Sequence, residues 1–529
     1  MVRRPLATTA LVALLALPVY AEPLSPEPAS AGTSEEAAAL RASLAEYVTQ
    51  VPFEKGILSV EPDPAGQRVT LNGAPFLKDY FGLEAKVAPL SFLVSPRADG
   101  DWNVFTNDPI RVTFDTKVGE QVHAFEYSQG EQVFKGVFAP NLFAYRAVEG
   151  FVRDTVNIQN EAATDSSTTI AGTKLSMSAG PGEAGGVDLD FQQTLTDYAQ
   201  TVGVKAPPPV EGETPEARSQ RELAASLFMS FGLKAGEVES TASVKGARNV
   251  EGRDLYTLLL AYTEALEADH RKALAGPLGE DLRAALQKTM PFWTSLDVAV
   301  TAREASFQSM LGTLRFGEAS QATRLTGLAE DARLETDISF DGFSVDGAVV
   351  PTWAARFVPK AAQLGVVVSG VDLKAPADLA IRHIDFTADE PFSEEVKAEI
   401  VEALDPARIK VTLKPSVIRA TDLDLHLSGE MGFVDEKPTG TLTARAVGLD
   451  QTIASLQRAA EREPDLLQVV GMAQMAQGLG RKTTNGDWEW VVHVAADGSV
   501  SVNGALVKAP DPETLPETET GPAEDAGQQ

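Results

Sequence analysis

Asp422, Asp424 and His426 stand at alternate positions, with Leu423, Leu425 and Leu427 interleaved. Successive side chains of an extended strand point to opposite faces, so this spacing predicts two carboxylates and an imidazole along one face and three leucines along the other. Such a set could hold a divalent cation or share a proton, which makes a cation-dependent or hydrolytic enzyme the alternative reading of the chain. The wet side of any half-buried strand gives the same alternation, and Asp188, Asp190 and Gln192 repeat it opposite Val187, Leu189 and Phe191.

Other chemistry-bearing patterns are thinner. Gly180-Pro181-Gly182-Glu183-Ala184-Gly185 has the spacing of a dinucleotide-binding loop. That loop needs a helix after it to aim an N-terminus at phosphate, whereas the run from Val187 to Phe191 predicts a strand and hence a hairpin loop. The five histidines, at 123, 270, 383, 426 and 493, include no pair at metal-binding spacing. No Gly-x-Ser-x-Gly elbow, Ser-x-x-Lys pair or phosphate loop occurs, so no catalytic residue is assigned and no cofactor is expected.

Apolar surface is the remaining candidate. Leu255, Leu258, Leu259 and Tyr262 recur at helical spacing, and Trp488 and Trp490 share one face of a strand. A curved sheet backed by helices can enclose a groove for an acyl chain, and these six residues are its expected lining. Core packing is the competing use of such stripes, including a second one of Leu223, Leu227, Phe228 and Phe231.

The elements that would position these residues alternate between two periods. Thr33 and Glu36 form a capping-box pattern ahead of Leu40, Leu44, Tyr47, Val48 and Val51, with Pro52 as the stop. Thr214 with Pro215 opens a second helix, a third carries Leu255 to Leu266, and Gly276-Pro277 separates it from a shorter one. Further helices are expected over 393–404, around Ile453 and Leu456, and from Pro464. Strand pairs are expected at 57–60 with 68–71, at 122–127 with 132–138 across Ser128-Gln129-Gly130-Glu131, and at 168–179 with 187–198. Alternation resumes at Leu296, Val298 and Val300 and at Leu334, Thr336, Ile338 and Phe340, and a last hairpin joins 488–494 to 499–507. Leu71-Asn72-Gly73-Ala74, Val345-Asp346-Gly347-Ala348 and Val502-Asn503-Gly504-Ala505 share a pattern that suits tight turns. A duplicated helix-then-sheet unit, starting near Thr33 and again near Gly252, is the sharper explanation of that repeat.

The predicted fold class is therefore α+β, with long curved antiparallel β-meander sheets packed with amphipathic helices. The expected divisions are a signal peptide at 1–21, a β-rich half at 22–206, and a linker, helix and strand at 207–251 that includes Pro207-Pro208-Pro209. An α+β half at 252–508 and a disordered acidic tail at 509–529 complete them.

Arg3 and Arg4, the apolar run at 6–17 and Val19-Tyr20-Ala21 have the three-part layout of a cleavable export signal. A core of twelve residues is too short to span a bilayer as a helix, and no later run is long enough, so no transmembrane anchor is expected. Cleavage at 21 removes two of the 45 basic side chains and none of the 75 acidic ones, taking the net charge from −30 to −32. A surface of that sign repels nucleic acid and anionic head groups. The chain has no cysteine, so neither disulfides nor thiolate metal sites are available.

The signal, the runs of hairpins, the central helix and the closing string from Gly478-Leu479-Gly480 through Asp497-Gly498-Ser499-Val500-Ser501-Val502-Asn503-Gly504 together resemble uncharacterised periplasmic proteins of Gram-negative envelopes. These are the YdgA-like group and a related alphaproteobacterial domain of unknown function. The resemblance implies a periplasmic location and an α+β meander and supplies no catalytic residues. The resulting expectation is a non-catalytic, soluble envelope protein that binds an apolar or envelope-derived ligand, or a protein partner.

Overall fold

The computed structural model describes residues 24–511 apart from 119–120, 162–163, 183–184, 206–212, 228–229, 348–349, 352 and 435–436. The expected signal at 1–21, the prolines at 207–209, Phe228, and the tail from 512 onward lie outside the described residues.

The alternating runs form one curved antiparallel meander in which neighbours in sequence are neighbours in the sheet. Strands β1 (Leu58–Asp63) and β2 (Gly66–Leu71) open it as a hairpin. Three lines follow, each interrupted once: β3 (Ala85–Val87) with β4 (Leu90–Pro96), β5 (Trp102–Thr106) with β6 (Arg111–Val118), and β7 (Gln121–Ser128) with β8 (Glu131–Ala139). Both β7 and β8 run against β9 (Ala144–Asn160), with Ser128 opposite Val156 and Glu131 opposite Arg153. The expected hairpin at Ser128-Gln129-Gly130-Glu131 is thus a kink within one line.

The longest strands form the middle: β10 (Thr164–Pro181), β11 (Val187–Val204), β12 (Ser230–Ala247), β13 (Ser295–Ser309) and β14 (Gly312–Thr326). The glycine-rich segment after Gly180 closes the β10–β11 hairpin, where Gly182 N–H donates to the Gly186 carbonyl. Strands β15 (Ala332–Asp341) and β16 (Ser344–Asp346) share the outer edge of β14. The meander then runs through β17 (Ala361–Val371), β18 (Lys410–Arg419), β19 (Asp424–Val434) and β20 (Lys437–Val447). It ends in β21 (Arg481–Lys482), β22 (Trp488–Val494), β23 (Val500–Val502) and β24 (Ala505–Lys508). Because β12 pairs with both β11 and β13, the ladder passes through 207–251 with no seam.

A crease crosses the central strands. Asp154, Asp197 and Glu304 take left-handed backbone angles (φ 52°), and Gly342 does so at the junction of β15 and β16 (φ 66°). Each faces a small residue on the next strand, and the register steps over the pair. Ala171 lies between the pairs Thr155–Ile170 and Arg153–Gly172. Gly236 has Glu304 beside it, and Gly317 has Gly342. A Cβ on Gly236 would come within 2.9 Å of the Glu304 carboxylate, the mobile end of a flexible side chain, and within 3.4 Å of its Cβ, so a small residue fits here with little adjustment. The register is the same on both sides of each kink, so neither strand gains a residue over its neighbour, and the alternation reverses phase on both strands together. The apolar set therefore passes from Leu195 to Tyr198, from Ala302 to Ala305 and from Phe340 to Phe343 without leaving its face. The rings of Phe316, Phe340 and Phe343 meet there at 4.8–5.8 Å.

Helices fill the connections. Helix α1 (Ser34–Val48) has the expected capping box, with Thr33 and Glu36 exchanging bonds, and the short α2 (Val51–Glu54) begins around Pro52. Helix α3 (Gly73–Phe81) follows β2, α4 (Pro215–Leu227) precedes β12, and α5 (Asn249–Ala261), α6 (Thr263–Leu274) and α7 (Pro277–Thr289) join β12 to β13. The helix expected through Leu266 is broken at Tyr262, and the expected Phe231 of the α4 stripe belongs to β12. Helices α8 (Lys374–His383) and α9 (Glu394–Glu402) join β17 to β18, and α10 (Leu449–Ala460) and α11 (Leu467–Leu479) join β20 to β21.

The three Asn/Asp-Gly repeats adopt three conformations. Asn72-Gly73 starts α3, Gly347 (φ 145°) follows β16, and only Asn503-Gly504 makes a tight turn with both residues at positive φ, splitting the expected last strand into β23 and β24. Ala348 of the second copy lies outside the described residues.

Burial is densest at β8–β10, where Phe134, Val148, Phe151, Val152 and Leu175 form one cluster. Each such side chain contributes about 1.5–3 kcal/mol on full burial. A second cluster, Leu456, Ala460, Leu466 and Val470, packs α10 and α11 together with Trp353 and Phe357.

Candidate functional site: an uncovered apolar sheet face

The register aligns the apolar positions of successive strands into rows. Ala179, Leu189, Val244, Leu296, Leu325, Leu334, Val368, Val411 and Met431 are paired in turn across nine strands, from β10 to β19, with no polar residue among them. A parallel row runs through Phe191, Ala242, Val298, Thr323, Thr336, Val366 and Leu413, broken only by two threonines whose hydroxyls lie 3.4 Å apart. At roughly 4.8 Å between strands the first row is about 38 Å long, more than the roughly 30 Å hydrocarbon core of a bilayer.

Toward β8–β10 this face is buried, but farther along it is open. Val298, Val300, Leu334, Ile338, Val366 and Met431 are 36–48% exposed. Apolar side chains adjacent on one face of a sheet normally lie under a second layer, and a contiguous exposed patch marks a binding surface.

The opposite face is ionic. Arg324 bonds Asp297 at 3.1 Å, Lys245 lies 3.6 Å from Asp188 and Asp190, and Lys414 binds Glu335 at 2.8 Å and Asp337 at 2.6 Å. Lys414 first and Arg333 second hold the Glu335 carboxyl down from 4.5 to about 2. One sheet thus has a solvated charged side and an apolar side, as period-2 alternation requires.

The expected lining residues are not brought together. Leu255, Leu258 and Leu259 are half-buried on α5, which packs chiefly against α7 and α1, and Tyr262 caps the break between α5 and α6. Trp488 and Trp490 do share the apolar face, opposite Ala446 and Ala444, but at the other end of the strands. Their indole N–H groups donate to Asp450 Oδ1 and to the Ala476 carbonyl, both at 2.7 Å, so they fasten α10 and α11 to the sheet. Helices therefore do not supply the candidate surface. Of the strand residues that do, Leu296, Val298, Leu334 and Ile338 stood in alternating runs in the sequence, whereas Val366, Val368, Val411 and Met431 did not, and the phase slips at 153–155, 196–198 and 303–305 are the signal that one face continues across each kink.

The candidate cation site also differs from expectation. Strand β19 begins at Asp424, so Asp422 lies in the preceding turn, and its carboxylate pairs with Arg356 at 2.8 Å. Asp424 and His426 share a face opposite Arg419 and Val417. Among the described residues no three His, Asp or Glu side chains come together to hold a metal.

Two clefts accompany the sheet. One of about 220 Å³ lies between α7 and α8, lined by Met290, Pro291, Leu328, Ile381 and Lys374, which is already bound to Asp378 at 2.7 Å. The other, of about 320 Å³, opens beside Ser339, Asp341, Gln363 and Arg419. Neither is lined by a histidine. No described helix is long and apolar enough to cross a membrane. Comparison with protein-family models, curated proteins and solved structures finds no match for this chain.

Proposed function

We propose that this chain is a non-catalytic envelope protein, exported to the periplasm, that holds a lipid-like ligand along the apolar face of its sheet. The observation that carries the reading is the row from Ala179 to Met431, nine paired positions without a polar side chain, beside neighbours as exposed as Ile338 at 48%. An extended hydrocarbon suits such a surface because it needs no hydrogen bonds and gains with each methylene it buries, about 0.8 kcal/mol apiece. The ionic reverse face keeps the scaffold in water. The export signal and the resemblance to periplasmic envelope proteins agree with this role.

The test is extraction of the protein purified from the envelope of a Gram-negative host, followed by mass spectrometry. Acyl lipids are expected in amounts comparable to the protein. Extracts containing no lipid above a control protein purified in parallel would refute the proposal.

A further inference from the structure

Beyond the crease the same face changes character along a single row. Asn157, Thr168 and Gln200 are paired in turn across β9, β10 and β11, and the row continues through Leu233, Phe307, Leu314 and Val345 on β12, β13, β14 and β16. Its first part carries amides and a hydroxyl, and the rest is wholly apolar. In the next row Gln159 and Ser166 stand beside Asn157 and Thr168, ahead of Val202 and Phe231. The Phe231 ring stacks on that of Phe307 at 5.7 Å.

The polar corner has unused hydrogen-bonding capacity. Its five side chains are half-buried. Gln200 Oε1 accepts from the Tyr198 hydroxyl at 3.1 Å, but the side chains of Asn157, Gln159, Ser166 and Thr168 have no hydrogen-bond partner among the described residues, and Asn157 Oδ1 is buried. Polar groups withdrawn from water are costly without partners, so these unmet donors and acceptors suit a polar group from outside. Neither row contains a charged side chain. At this end Asp165 and Lys205 bind each other at 2.6 Å, Glu161 lies in the hairpin turn, and Asp154 and Asp197 belong to the crease. An anionic head group would find no cation to pair with in the corner and would meet the field of an acidic protein. At roughly 4.8 Å between strands, Leu233 to Val345 spans about 14 Å, close to the half of a roughly 30 Å bilayer core that one acyl chain covers.

We propose that this row selects a glycolipid with an uncharged sugar head, the head on Asn157, Gln159, Thr168 and Gln200 and the chain along Leu233 to Val345. The proposal rests on the sheet face holding a lipid and specifies which. The test is isothermal titration of the lipid-stripped full chain with decyl maltoside, decanoate and decyltrimethylammonium, each below its micelle concentration at neutral pH. Decyl maltoside is expected to bind at least about tenfold more tightly than either ion, and Gln159→Leu/Thr168→Val should lose about tenfold for decyl maltoside alone, with an unchanged circular dichroism spectrum. Leu233→Gln should weaken all three probes. Gln200→Glu, which keeps an acceptor for Tyr198, should shift the preference toward decyltrimethylammonium. An ion binding wild type as tightly as decyl maltoside, or the double variant keeping its affinity for decyl maltoside, would overturn the proposal while leaving a lipid on the sheet. Absence of binding by all three probes would overturn both.

Discussion

Glu335 shows how single charged residues set the conditions under which the sheet is stable. Its carboxylate is 12% exposed and accepts from Lys414 and Arg333, at 2.8 and 2.9 Å, and its pKa falls from 4.5 to about 2. A group whose pKa is lower folded than unfolded stabilises the fold above the unfolded value and loses that contribution as pH falls through the folded one. Urea midpoints of wild type and Glu335→Gln should therefore differ most above about pH 4.5 and converge toward pH 2. A constant difference across that window would mean that the pair acts by packing and not by charge. In sequence, Glu335 was only one acid on the wet side of a strand. Arg333 lies two positions away on the same strand, but Lys414, 79 positions on, is brought to it by a register that no local pattern specifies. The same holds for Asp422, whose alternation with Asp424 and His426 was legible but whose partner, Arg356, lies 66 positions away.

Among elements, those with a local start signal were legible. The Thr33 capping box, Pro215 at the head of α4, Gly276-Pro277 before α7 and Ser393 before α9 all stand where their chemistry places them. What stayed hidden was set by neighbouring strands. A tetrapeptide such as Ser128-Gln129-Gly130-Glu131 suits a turn and a kink equally well, and the pairing of both flanking strands with β9 decides between them. The crease makes a prediction opposite to simple strand propensity. Valine is a better strand former than glycine, yet at Asp197 the backbone is left-handed (φ 52°), a region where a β-branched side chain is strained. Asp197→Gly should leave the urea midpoint nearly unchanged, and Asp197→Val should cost about 1–3 kcal/mol. Equal stability of the two variants would show that the kink relaxes into a regular strand.

At the scale of the whole molecule, the meander followed from alternation because antiparallel neighbours in sequence need only short connections to pair. Period-2 patterning also implied two unlike faces, but it gave no sign of which would be left open. Coverage is a property of the second layer, and here the helices pack mainly on one another at the ends of the strands. If the open face is a binding surface, its residues contribute little to the empty fold and much to the loaded one. Ile338→Thr with Val366→Thr keeps both side chains β-branched at positions 48% and 40% exposed, so the lipid-stripped variant should stay within about 0.5 kcal/mol of wild type. Oleate at about a hundred times its Kd should stabilise wild type by about 2.7 kcal/mol and the double variant by distinctly less, because the ligand then buries hydroxyls that have no partner. An equal rise in both proteins would place the ligand elsewhere, and a stripped variant that fails to fold would mean that this face packs against the protein itself.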